Sequence, residues 1–116
     1  MVNDMNFYDK VHELVKCLKE TQEYTEYLKL KEIVKSNTKN YEMLKDFKQK
    51  QQQQQIAYMN TGKIDEKEKK ALENIYSILI QNEDSRKILE CEMRIDVMLA
   101  DMQKIVGEGI KDILEY

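Results

Sequence analysis

The sequence has no proline and only three glycines, Gly62, Gly107 and Gly109. Few residues are left to punctuate regular structure, so long helices are favoured. There is one histidine, His12, and there are two cysteines, Cys17 and Cys91, far apart and in no C-x-x-C pair. A disulfide framework is therefore not expected, and reduced cytosolic thiols fit better. No Ser/His/Asp or Cys/His constellation assembles from one histidine with no motif around it. No apolar run approaches the ~20 residues a membrane span needs. The opening MVNDMNFYDK lacks a basic stretch followed by an apolar one, so it does not read as a signal peptide. A single cytoplasmic domain covering 1–116 is expected, with no membrane association.

The charge lacks asymmetry as well. Net charge is −3, with 35% charged residues, and acids and bases are interleaved in both halves. Neither half carries a basic patch, which argues against direct binding to nucleic acid or an anionic membrane.

What is abundant is Lys, Glu, Gln, Leu and Met, which lose little rotamer freedom in a helix. The first apolar stripe is Phe7, Val11, Leu14, Val15 and Leu18, with Asn6 as its N-cap and Asp9 three residues on. His12 lies beside that stripe as a boundary residue. Thr21 offers a second cap, followed by Tyr24, Tyr27, Leu28, Lys31 and Val34, with Ile33 alongside. The polar break KSNTKN (35–40) precedes a third stripe of Tyr41, Leu44, Phe47 or Lys48, Gln51, Gln55 and Tyr58. The glutamine run from Gln51 to Gln55 stays in phase with that stripe. It reads as helix, with Gln51 and Gln55 on the seam. Gly62 ends it as a left-handed C-cap. Asp65 with Glu68 begins a fourth helix, whose stripe is Ala71, Leu72, Ile75, Ile78 and Leu79.

The fifth segment runs from about Glu83 to about Leu114. Its seam is Ile88, Cys91, Ile95, Met98 with Leu99, Met102, Ile105 with Val106, Gly109 and Ile113. This three-and-four alternation marks a coiled-coil-like contact. Some 30 helical residues span about 45 Å, whereas a ~100-residue domain has a radius of gyration near 13 Å. The last helix should therefore reach beyond a compact core and need a second copy of the chain. The expected interface is Ile88, Ile95, Met98, Leu99, Met102, Ile105 and Ile113. The pattern as a whole predicts an all-α fold of about five helices, an antiparallel bundle with a long C-terminal helix that self-associates through coiled-coil-like seams.

Residues with chemistry read blandly. Cys17 and Cys91 fit small hydrophobic roles, since two thiols cannot fill a tetrahedral metal site in one chain. Glu90, Glu92, Asp96 and Asp101 read as a solvated flank without the histidines of a di-metal bundle. Gly107-Glu108-Gly109 follows a helical stripe and is no phosphate loop; it reads as a softened helix end. No catalytic residue, metal site or cofactor is expected.

Three stretches carry a family resemblance. NFYDKVHELVKCLKETQEYTEYLKLKEIV (6–34) is similar to the opening of the YlbF/YmcA/YheA family of bacterial proteins. YEMLKDFKQKQQQQQ (41–55) resembles its glutamine-bearing helix, and ILECEMRIDVMLADMQKIVGEGI (88–110) resembles its last helix. Many relatives have a proline before that helix; here Asn82 is followed by Glu83. The resemblance implies an all-helical, self-associating protein. Some members act in a complex that controls competence, sporulation and biofilm formation and influences ribonuclease Y-dependent RNA processing. Members of that complex hold iron–sulfur clusters through cysteines. The present sequence matches none of these, which points to the YheA-like branch and away from a cluster. The expected function is thus a non-enzymatic regulatory or adaptor protein, a homodimer with a cytoplasmic protein partner. The alternatives are a thiol- or iron–sulfur-dependent sensor and a nucleic-acid-associated factor.

Overall fold

The computed structural model describes residues 2–115. It is all helix, with no strand among the described residues, in the order α1 (Val2–Lys19), α2 (Gln22–Lys35), α3 (Thr38–Thr61), α4 (Glu66–Leu79), α5 (Glu83–Gly109) and α6 (Lys111–Leu114). The all-α architecture with a long C-terminal helix is as the periodicity predicts, with six helices among the described residues in place of about five.

The helix ends have local causes. Thr21 Oγ1 accepts from the Tyr24 amide at 3.2 Å and so caps α2. Asn37 Oδ1 accepts from the Asn40 amide at the start of α3. Asp65 Oδ1 accepts from the Lys67 and Glu68 amides at the start of α4. Asn82 Oδ1 accepts from the Ser85 amide at the start of α5, at 2.9 Å. Each of these caps occupies amides that have no partner within the helix. α3 closes on Gly62, whose φ of 69° is open to glycine at no steric cost and whose amide reaches the Tyr58 carbonyl.

Two boundaries differ from expectation. Asn6 is inside α1 rather than capping it, because the helix begins at Val2. Asn is only a mildly poor helix former, and Asp4 in the first turn complements the helix dipole. The last segment is also interrupted. α5 stops at Gly109, Ile110 takes φ −119° and ψ 31°, and α6 restarts for four residues. Gly107 and Gly109 weaken the last turn enough for the break to fall there.

The chain forms two compact units. One comprises α1, α2 as far as Lys29, α5 from Glu90 onward, and α6. The other runs Leu30–Leu89 and contains the antiparallel α3–α4 hairpin. In that second unit Leu30, Val34, Leu44, Phe47, Leu79 and Ile88 are buried. Phe47 meets Tyr76 across the hairpin with ring centroids 5.9 Å apart. In α2 the inward residues are Leu30 and Val34. Leu28 and Ile33, expected on or beside the stripe, are exposed. Leu30 and Val34 are one helical turn apart and share a face.

Candidate interaction surfaces

Groups able to do chemistry are dispersed. His12 and Cys17 are both exposed on α1. Cys91 has no exposed surface. Burial pushes its thiol pKa up; the Glu26 carboxylate acts in the same direction, and Arg94 opposes them. Arg94 Nη2 donates to Cys91 Sγ at 3.3 Å. A buried, protonated thiol is a poor nucleophile and a poor metal ligand. Among the described residues, no group of three or more His, Cys, Asp or Glu side chains could hold a metal ion. On α5, Glu90, Asp96 and Asp101 are exposed and Glu92 is half-buried.

Three surfaces stand out instead. The first is the distal half of α5. Of the seam residues expected at an interface, Ile88 is 4% exposed and already used inside the chain. Ile95, Met98, Leu99 and Met102 are half-buried. Beyond them Ile105 is 69% exposed, and past the break at Ile110, Ile113 on α6 is 64% exposed. The seam thus opens to solvent as the helix proceeds. Exposed Val106 and Ile110 widen the apolar area.

The second surface is the tip of the α3–α4 hairpin. The glutamine run is helical throughout. The expected seam positions, Gln51 and Gln55, are exposed, and the half-buried member is Gln54. Its Nε2 donates to the Glu68 carbonyl oxygen at 2.7 Å, tying α3 to the first turn of α4. Gln54 lies seven residues after the buried Phe47, almost two helical turns, whereas Gln55 has rotated past the contact. Where core residues would close the hairpin, the amides leave a cleft of about 960 Å³ lined by Gln51, Gln54, Tyr58, Ile64 and Leu72 among others.

The third surface is α1, whose apolar stripe the sequence places on one helical face. Every described side chain from Asp4 to Cys17 is exposed, including Phe7, Val11, Leu14 and Val15.

The described residues thus form an all-helical fold with open apolar helix faces and dispersed chemical groups. Comparison with known proteins supplies the family. Residues 7–111 match the family described as control of competence regulator ComK, YlbF/YmcA, and the chain belongs to it. The match does not single out the YheA-like branch. A UPF0342 protein of Desulfitobacterium hafniense is 37% identical over 110 residues, spanning 95% of this chain and 89% of the relative. A UPF0342 protein of Clostridium tetani is 37% identical over 112 residues, spanning 97% of each. A solved structure, a protein of unknown function (DUF964) from Bacillus stearothermophilus, has a TM-score of 0.75. The alignment covers 95% of this chain and 96% of that one, at 14% identity, and so speaks to the fold alone. Among the described residues no helix is long and apolar enough to cross a membrane.

Proposed function

We propose that the protein is a regulatory or adaptor protein without catalytic chemistry of its own, acting through helix-mediated association as a homodimer in the cytoplasm. The observation that carries this reading is the opening seam of α5, a regular apolar stripe that ends in exposed Ile105, with Ile113 exposed on α6 beyond the break. Exposed apolar residues are ordinary when scattered singly, but a contiguous stripe at interface spacing marks a contact surface. Met98 and Met102 on the same seam supply adaptable side chains. Its partner beyond the dimer is a cytoplasmic protein. The process is the one its family's description names, control of competence, with sporulation, biofilm formation and ribonuclease Y-dependent RNA processing as the wider setting the resemblance implies. The thiol-sensor alternative is disfavoured by the burial that holds Cys91 protonated.

Light scattering at micromolar concentration tests the association. The expected mass is twice the 13.9 kDa of one chain. Ile105→Asp is the decisive variant, because its side chain is exposed in the single chain and a charge there should leave the monomer folded. It should shift the mass toward that of one chain, since it places a carboxylate in a desolvated contact. Leu99→Asp should do the same at a half-buried seam position, with some cost to the chain itself. A monomer mass for the wild type would sink the reading.

A further inference from the structure

The apolar stripe near the end of the chain is laid out for one helix, and the structure shows two. Ile113 follows Ile95 by eighteen residues, about five whole turns of an α-helix. A continuous helix would therefore bring the two side chains to the same side. Leu99, Met102, Val106 and Ile110 fall between them at spacings of four, three, four and four, and share that side.

The backbone departs from this plan at one residue. α5 ends at Gly109, Ile110 takes φ −119° and ψ 31°, and α6 begins at Lys111. The Ile113 amide donates to the Ile110 carbonyl at 3.0 Å, where a continuous helix would send it to Gly109. The broken form has little to hold it. α6 has four residues, too few to be stable alone in water, and Lys111, Asp112 and Ile113 are exposed. Gly107 and Gly109 have no packing reason within the chain to be glycine. A Cβ built on either meets no atom within 4 Å, and neither has a positive φ. What glycine supplies at these positions is backbone freedom next to Ile110.

We propose that residues 107–110 are a hinge, and that α5 and α6 join into one helix when a second copy of the chain covers the distal stripe. The inference deepens the self-association proposed above and rests on it. The second copy is the occupant because the stripe continues the α5 seam assigned to the dimer. Joining brings Ile113 into line with Val106 and Ile110, and extends the seam by about two turns beyond Val106. Lys111 and Asp112 then fall outside the stripe. In the single chain this alignment gains little, since Ile110 and Ile113 are exposed and would remain in water. Once the stripe is covered, each aligned apolar side chain leaves water, and the joined helix is favoured.

Pulsed amide hydrogen exchange read by mass spectrometry tests the hinge in the full chain, at about 1 and about 100 µM. Light scattering gives the mass of the same samples. Protection of the 110–114 amides should rise about tenfold or more where the dimer forms. Lys111→Pro supplies a second readout. Proline fits the first turn of a helix that starts at Lys111, and it breaks a helix that runs through that position. It should weaken the dimer about tenfold or more, while the dilute chain keeps wild-type helicity by circular dichroism. Lys111→Ala removes the same charge, suits both forms and should dimerise as the wild type does. A wild-type dimer whose 110–114 amides exchange as fast as in the dilute chain would overturn the inference and leave association through α5 intact. Equal dimerisation by Lys111→Pro and Lys111→Ala would do the same. A monomer mass for the wild type at both concentrations would remove both readings.

Discussion

Cys17 lies on the open face of α1 while Cys91 has no exposed surface, so the two thiols should react differently with a thiol reagent such as dithionitrobenzoate. In the native protein one equivalent, Cys17, should react quickly, and the second only after denaturant is added. Two fast equivalents would contradict the burial of Cys91. The same burial has a pH consequence. The folded pKa of Cys91 is raised, so the folded state keeps its proton where an unfolded thiol, with a pKa of about 8.5, has lost it. The contribution is fully present below that unfolded value and is lost as pH rises towards and through the raised folded one. Urea unfolding compared at pH 7.5 and 10 should show a steeper alkaline loss for the wild type than for Cys91→Ala. Cys91→Ser is the harsher change, because an unpaired hydroxyl in an apolar site costs about 1–3 kcal/mol. Arg94 donates only weakly to the sulfur and does not reverse this preference.

At the scale of elements, the glutamine run makes the plainest test. Its residues are helical from end to end, and Gln53 is exposed and near the cleft. Gln53→Pro should cost about 3 kcal/mol or more, since it removes an amide and clashes with the preceding turn. Gln53→Ala should lie within about 0.5 kcal/mol of wild type. Gln54→Ala should fall between them, at the low end of the roughly 0.5–1.5 kcal/mol of an intramolecular hydrogen bond, because the Glu68 carbonyl it releases is open to water. Chemical denaturation of the three variants would order them. The same helix shows what was legible beforehand. Thr21, Gly62 and Asp65 were readable as caps because capping is local chemistry between residues two to four apart. The choice between Gln54 and Gln55, and between Leu30 and its neighbours Leu28 and Ile33, was not. A uniformly helical stretch leaves its phase open by about one residue until the opposing helix fixes it. Gly107 to Gly109 was readable as a softened helix end, but not the break and restart at Ile110, because helix propensity says how weak a turn is and not whether the chain uses the weakness. The α1 stripe was readable as one apolar helical face; periodicity carries no information about what covers it.

At the scale of the whole molecule, covering the open face of distal α5 in a dimer, as proposed, predicts that folding depends on concentration. If the folded state is a dimer and the unfolded state is single chains, each tenfold rise in protein concentration adds about 1.4 kcal/mol to the stability of the dimer. From 1 to 100 µM that gives ~2.7 kcal/mol. For a cooperative unit of about two chains' length, the melting temperature should then rise by roughly 5–10 °C. Circular dichroism at 222 nm measures the transition and reports helix content as well. A helical segment whose apolar side chains are covered only in the dimer frays when the dimer separates, so the native signal per residue should fall on dilution before any global unfolding. Ile105→Asp should abolish the concentration dependence of the melting temperature and bring its native signal close to that of the diluted wild type. A melting temperature constant across this range, with an unchanged native signal, would mean that this face stays open in solution, and the protein would then have to meet a different chain to cover it.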